Sequence, residues 1–266
     1  MDKYLIALDM DGTLLNAKKK ISLKTLHYLR KLTKQGHIIV LASGRPSRAL
    51  YSYYNQLGLS TPLICYNGAY CFSPKDKNFP KEEFQFPKEI IKSLYKELRP
   101  ISKNFMCETD TEIWLDVEDL NLARFFWYEG MEMHYGDIST TLDKDPMTFI
   151  VQTPTEVKDR TNIQNIVYKY DDIEPMFWTG ANYFELHFKK ISKGSSLRRI
   201  AEYYHISNKN TIAFGDSDND FELFQFVNTS VAMINSRSYV KEKATMISLK
   251  DNNHNGVYYT LKKILK

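Results

Sequence analysis

Apolar positions in the first third of the chain switch between two periods. Residues 4–8, Tyr4-Leu5-Ile6-Ala7-Leu8, are a short apolar run closed by Asp9. Such a run predicts a strand buried on both faces. From residue 22 the period lengthens: Leu23, Leu26, Leu29 and Leu32 recur at helical spacing, Ser22 can serve as N-cap and Gly36 suits the C-terminal end. That pattern predicts a helix over 22–35. Residues 38–42 read as a second buried strand. Pro46 opens a helix in its first turn, where proline is tolerated, and Gly58 ends it. Residues 63–66 read as a third strand. Alternation of this kind implies right-handed crossovers and a parallel sheet.

After about residue 72 the pattern is mixed. Helices are expected near 88–98, 119–128 and 155–168, and strands near 113–117, 147–152 and 183–188. Loop-like stretches flank this region, Ser73-Pro74-Lys75-Asp76 before it and Lys190-Ile191-Ser192-Lys193-Gly194 after it. Alternation then resumes, with a helix over 195–204, a strand over 211–214, a helix starting near 217, a strand over 230–233 and a last helix over 256–265. The economical reading is one α/β sheet domain, residues 1–82 and 189–266, interrupted by an inserted α+β unit, residues 83–188.

Composition narrows the function classes. The chain has 266 residues, of which 43% are hydrophobic and 26% charged, as in an ordinary globular protein. A net charge of +4 is too small to argue for nucleic acid. The lysine clusters Lys18, Lys19, Lys20 and Lys262, Lys263, Lys266 read as solvated faces. Three cysteines, Cys65, Cys71 and Cys107, fit no zinc spacing and are expected to be packed and reduced. The first apolar stretch is too short for a secretory signal, and no run of ~20 apolar residues exists. A cytoplasmic protein without a membrane or nucleic-acid partner is expected, as a monomer or weak homo-oligomer. Trp114, Trp127 and Trp178 all fall in the insertion, where core packing is their ordinary role. His134 and His187 also lie there and read as hydrogen-bonded or solvent-facing side chains.

The chemistry sits at strand ends. In an open parallel sheet, ligands bind beyond the carboxyl ends of the strands. The expected strands are followed by Asp9-Met10-Asp11-Gly12-Thr13, by Ser43-Gly44-Arg45, by Asn67-Gly68 and by Gly215-Asp216-Ser217-Asp218-Asn219-Asp220. Turns alone would explain one or two of these, but not so many carboxylates on one edge. Asp9 and Asp11 are two apart and share a side of an extended chain; Asp216 and Asp220 are four apart and share a face of a helical turn. Two carboxylates at ~4 Å repel by roughly 4 kcal/mol in a partly screened site. A divalent cation removes that cost. The donors on offer are oxygens, which favours a hard ion such as magnesium. A carboxylate nucleophile, hydroxyl donors, a lysine and such an ion suit phosphoryl transfer.

These segments resemble the four motifs of the haloacid dehalogenase superfamily. Asp9 to Leu15 is similar to the first, Leu41-Ala42-Ser43-Gly44-Arg45 to the second, Ser192-Lys193-Gly194 to the third and Gly215 to Asp220 to the fourth. Tyr66-Asn67-Gly68-Ala69, Tyr183-Phe184-Glu185-Leu186, Val231-Ala232-Met233-Ile234-Asn235 and Asn255-Gly256-Val257 further resemble its Cof-type branch with a class IIB cap. The resemblance implies a Rossmann-like parallel-sheet core with an inserted α+β cap that closes over it and selects the leaving group. It implies that Asp9 is the nucleophile and a metal ligand. Asp11 would be general acid and base, its backbone carbonyl also touching the metal. Ser43, Gly44, Lys193 and Asn219 would hold the phosphate. Asp216 would be the main further metal ligand, Asp220 would support the metal directly or through water, and Asp218 would be a more distant group. Arg45, Asn67 and Glu185 are candidates for substrate contact. The implied enzyme is a magnesium-dependent phosphatase of small phosphorylated metabolites, sugar phosphates above all. An acid at Asp11 points to esters rather than halides, because a departing alkoxide needs a proton. The alternatives are a hexose phosphomutase, which shares the cap class, and a ligand-binding protein on an inactive scaffold.

Overall fold

Burial on both faces makes strands of the shortest apolar runs. In this computed structural model, which describes residues 2–178 and 180–266, strand β1 (Leu5–Leu8) is buried throughout. Helix α1 (Leu23–Lys34) buries Thr25, Leu26, Leu29 and Leu32, and Ser22 caps it by accepting from the Thr25 amide. Strand β2 (Ile38–Ala42) follows, then helix α2 (Ser47–Leu57), which Gly58 ends in the left-handed conformation. Strand β3 (Leu63–Cys65) stops one residue earlier than its apolar run, because Tyr66 and Asn67 take positive φ, 47° and 54°. The chain then doubles back as β4 (Tyr70–Phe72), antiparallel to β3, and reaches β5 (Glu82–Glu83).

The middle of the chain carries its own sheet. It contains α3 (Lys88–Leu98), β6 (Asn104–Glu108), β7 (Glu112–Leu115), α4 (Leu120–Phe125), β8 (Glu132–Tyr135), α5 (Ile138–Thr141), β9 (Thr148–Gln152), α6 (Thr161–Val167), β10 (Ile173–Phe177) and β11 (Tyr183–Phe188). Its strand order is β10-β11-β9-β6-β7-β8. The two edge strands, β8 and β10, and the fully buried β6 were not apparent in the pattern. β8 is largely exposed, and β10 carries Pro175, which an edge strand tolerates because it need not donate on both sides. The expected helix over 155–168 is only Thr161–Val167. Trp114 is fully buried in this unit, its indole N–H donating to the Thr141 carbonyl. His134 stacks on Trp114 and bonds Glu112.

Alternation returns with α7 (Lys193–Tyr203), β12 (Thr211–Gly215), α8 (Phe221–Phe226), β13 (Thr229–Ala232), α9 (Ser238–Lys241), β14 (Met246–Ile247) and α10 (Gly256–Ile264). These join the first strands in one sheet of order β14-β13-β12-β1-β2-β3-β4-β5. β1 runs parallel to both β12 and β2, with Leu8 opposite Phe214 and Leu41. By contact the chain forms two units. One joins the residues up to Glu82 to Ser192–Lys266, and the other is Glu83–Ile191. Cys65, Cys71 and Cys107 are buried, and burial pushes the Cys71 thiol up to about 12. Among the described residues no helix is long and apolar enough to cross a membrane.

Candidate active site

Three carboxylates meet where β1 and β12 end. The Asp9 amide donates to the Phe214 carbonyl at 3.0 Å, so Asp9 still belongs to the ladder and its side chain is fixed by the sheet. The chain then turns, with Leu14 and Leu15 donating back to the Asp9 and Met10 carbonyls. This turn carries Thr13, whose hydroxyl donates to Asp216 Oδ1 at 2.8 Å. Gly12, at φ +74°, lies so close to Asp216 that a Cβ would stand 2.2 Å from its Oδ2. From β12 a short 3-10 turn, Asp218–Asp220, brings Asp220 back over the sheet end. There Asp220 Oδ2 accepts from the Asp216 and Ser217 amides at 2.9 and 3.1 Å. One oxygen each of Asp9, Asp216 and Asp220 falls within 4.8 Å of the others. Asp218 is exposed at the start of the turn.

Lys193 enters this cluster from α7. Ser192 caps the helix, so Lys193 is its first residue, two positions earlier than the pattern indicated. A cation there opposes the helix dipole. Its compensation is local: Nζ donates to Asp9 Oδ1 at 2.7 Å and to Asp220 Oδ1 at 2.8 Å. The lysine is 0% exposed, so the loop-like stretch over 190–194 ends in a buried helix start rather than in solvent. Burial alone would lower the Lys193 pKa, but the charges of Asp220 and Asp9 outweigh it and hold the ammonium above its ordinary range. Burial raises Asp9 well above the carboxylate range; Lys193 opposes this, while Asp220 and Asp216 add to it. Burial, then Asp220, raise Asp216 to about 6. With one buried cation for three carboxylates, Asp9, Asp216 and Asp220 form a donor set that could hold a positive ion.

The neighbouring strand ends lock onto one another. The Ser43 amide donates to the Ile64 carbonyl, its hydroxyl accepts from the Arg45 amide at 3.2 Å, and its carbonyl accepts from Asn67 at 3.0 Å. Asn67 Oδ1 accepts from Asn219 Nδ2 at 2.8 Å, tying β3's end to the turn after β12. A Cβ on Gly44 would stand 3.0 Å from Asn67 Nδ2. Gly68, at φ +106°, packs on the residue before Lys193: a Cβ there would lie 2.3 Å from the Ser192 carbonyl oxygen. Gly68→Ala is expected to cost about 2–3 kcal/mol, from backbone strain and this contact together, as read by denaturant unfolding.

Asp11 goes elsewhere. Met10, between Asp9 and Asp11, lies in a turn, and the Asp11 carboxylate stands outside the group formed by Asp9, Asp216 and Asp220. Asp11 accepts from Arg45 Nε and Nη2, both at 2.6 Å, and from Lys19 Nζ at 2.5 Å. Burial raises its pKa, but the Arg45 and Lys19 bonds and charges prevail and hold it below the usual carboxylate range. Arg45 thus serves the acid directly. Glu185 lies in the other unit, on β11, where it is buried, accepts from the Thr148 hydroxyl at 3.0 Å and faces His187.

A profile of haloacid dehalogenase-like hydrolases matches residues 6–261. The chain belongs to this family. It is 30% identical over 261 residues, 97% of its length and 96% of the relative's, to the 5-amino-6-(5-phospho-D-ribitylamino)uracil phosphatase YitU of Bacillus subtilis. It is 25% identical to the pyridoxal phosphate phosphatase YbhA of Escherichia coli, with 93% of each chain covered. Its fold matches a subclass IIB sugar phosphatase with a TM-score of 0.82 at 18% identity, covering 98% and 99% of the two chains. It is an enzyme of the phosphatase type.

Some of the dehalogenase-like site was not assigned from sequence. Thr13 stood inside the first motif without a role, and here it orients Asp216. Asn235 Nδ2 donates to the Gly12 carbonyl and Asn252 Nδ2 to the Leu15 carbonyl, both at 2.8 Å, so the last third of the chain holds the turn after β1. Asn235 was visible as part of a motif; Asn252 gave no signal. Lys19 read as solvated; it is exposed and also meets Asp11. Among the described residues a second acidic group, Glu112, Glu132 and His134, lies in the other unit, with Glu112 ion-paired to Lys144.

Proposed function

We propose that the protein is a magnesium-dependent phosphomonoester hydrolase of small phosphorylated metabolites that works through an aspartyl-phosphate on Asp9. The observation that carries this reading is the Asp9 carboxylate itself, fixed by the sheet, bonded to a buried lysine and beside two further acids. Sugar phosphates are the first substrate class to test, in keeping with the phospho-ribityl group in the name of the 30% identical relative.

The donor set fits a hard divalent ion. The bonds to Lys193 and Thr13 engage Oδ1 of Asp9 and of Asp216, so each has Oδ2 to offer. Asp220 Oδ2 accepts from two amides and Oδ1 from Lys193, so Asp220 holds the lysine and the turn and keeps one lone pair of Oδ1 to support the ion, directly or through water. Magnesium, when bound by Asp9 and Asp216 with the Asp11 backbone carbonyl, supplies positive charge to the phosphoryl oxygens and lowers the repulsion within the cluster.

The chain's residues perform the transfer. An Asp9 oxygen attacks phosphorus as the ester bond breaks, and Asp11 gives the leaving oxygen its proton. The dianionic phosphate of a bound ester raises the Asp11 pKa by like charge, which supplies the protonated form. Asp11, again a carboxylate, then takes a proton from water as that water displaces Asp9 from phosphorus. Lys193, Ser43, the Gly44 backbone and Asn219 bind the phosphoryl oxygens, and Arg45 keeps Asp11 in place. Asn67 positions Asn219, and Glu185 stands as a candidate substrate contact of the inserted unit.

Phosphate release from a panel of sugar phosphates and other phosphomonoesters, with magnesium and with EDTA, tests the reading. Metal-dependent release without any bisphosphate activator is expected. Activator-dependent isomerisation without release would make the protein a mutase, and binding without turnover would make it an inactive scaffold.

Metal binding should also depend on pH. The metal-free fold keeps a proton on Asp216 up to about pH 6, whereas the unfolded carboxyl releases it near 3.8. This group therefore costs the metal-free protein stability as pH rises through that window. Bound metal removes the cost. The magnesium-induced rise in melting temperature is thus expected to grow from pH 5 to pH 7.5; an increment that shrinks would contradict the assignment of Asp216.

A further inference from the structure

The turn after β1 spends conformational freedom to aim one exposed side chain. Lys19 is a non-glycine residue at φ 55°, a conformation that is costly for a long side chain and, where it persists, points to a constraint imposed by function. Its surroundings hold it there. Asn16 closes a tight loop, its side-chain oxygen accepting from the Lys18 and Lys20 amides and its carbonyl from Lys19, while its own amide donates to the Lys20 carbonyl. The Tyr53 hydroxyl donates to the Lys19 carbonyl at 2.8 Å. From this fixed backbone the Lys19 ammonium reaches Asp11 Oδ1.

Stability does not explain the arrangement. The Lys19 side chain is 63% exposed and that of Asp11 42%, and ion pairs in such settings contribute little to folding. The effect falls on the geometry of Asp11. A carboxylate offers about two lone pairs on each oxygen. On Oδ1 they are met by Arg45 Nη2 and Lys19 Nζ; on Oδ2 Arg45 Nε meets one. Arg45 alone would leave the two oxygens equivalent, since it bonds one lone pair of each. Lys19 breaks that equivalence.

We propose that Lys19 is a positioning residue for proton transfer: by occupying the remaining lone pair of Oδ1 it makes Oδ2 the oxygen of Asp11 that carries the proton. The proposal rests on the reading of Asp11 as acid and base given above. In the first half-reaction the bond from phosphorus to the ester oxygen breaks as the bond from phosphorus to Asp9 forms, and the proton on Asp11 Oδ2 passes to the departing oxygen. In the second, a water oxygen bonds to phosphorus, the bond to Asp9 breaks, and a proton of that water returns to Oδ2. A lysine that fixes this oxygen matters most where the leaving group most needs the proton.

The test compares phenyl phosphate with p-nitrophenyl phosphate, which share a ring and differ in how readily the phenolate departs. The readout is the ratio of their kcat/KM values, phenyl over p-nitrophenyl, in wild type, Lys19→Met, Lys19→Arg and Asp11→Asn, with melting temperatures measured alongside. The ratio is expected to fall about tenfold in Lys19→Met, a part of what a positioned acid supplies. It should recover in Lys19→Arg and fall further in Asp11→Asn. An equal loss on both substrates in Lys19→Met would show a merely structural role and overturn the proposal, as would no loss at all. An unchanged ratio in Asp11→Asn would instead remove the acid–base reading beneath it, so the two failures are told apart.

Discussion

Asp9→Asn is expected to lower kcat by about 10⁴-fold or more, because an amide oxygen cannot form the covalent intermediate that a carboxylate forms. The substitution keeps the side chain's size, and Lys193 keeps its bond to Asp220 at 2.8 Å. Burial already disfavours the charged form of Asp9, so a neutral amide should leave the melting temperature of the metal-free protein equal or higher. Phosphate release and thermal unfolding on the same preparation check both halves. Acid-quenched wild type, digested and examined by mass spectrometry, should carry the phosphoryl group on the peptide containing residue 9. Turnover retained in Asp9→Asn would sink the mechanism.

The second large effect is on the fold. Lys193→Ala removes the only buried cation bonded to both Asp9 and Asp220 among the described residues. Breaking a buried ion pair by deleting one partner costs about 3–5 kcal/mol, since the remaining charge is left uncompensated. Denaturant unfolding in EDTA should show that loss. Magnesium should restore part of it, because a bound cation takes over some of the neutralisation. Catalysis should not return with it: a donor to the phosphoryl oxygens is gone, which costs on the order of 10²–10³ in kcat. A variant as stable as wild type in EDTA would mean that the buried carboxylates are neutral without the lysine.

The features legible in the sequence are those set by near neighbours. Residues 5–8 are a strand because an unbroken apolar run must be buried on both faces, and α1 begins at Leu23 because Ser22 caps it. The glycine-flanked acids at the ends of β1 and β12 were recognisable, since the period of each element and its breakers are local properties. The edge strands β8 and β10 were not, because edges carry weaker patterns, and neither was the central β6, whose apolar run is only three residues between Asn104 and Glu108, both buried. The partners of Asp11 were not legible either: its two-residue spacing from Asp9 suggested a shared side, but Asp11 meets Arg45 and Lys19 and stands outside the group of Asp9, Asp216 and Asp220.

By itself the sequence determined which side chains are available for chemistry and which strand ends present them. The tertiary structure decided which atoms meet. Lys193 finds Asp9 across 184 positions of chain, and Thr13 finds Asp216 across 203. Arg45 and Lys19 converge on Asp11, and no local pattern distinguished Lys19 from Lys18 or Lys20. The reason is physical: propensity and period act over a few residues, whereas a carboxylate's partners and charge state depend on every group within a few ångströms, wherever in the chain those groups arise.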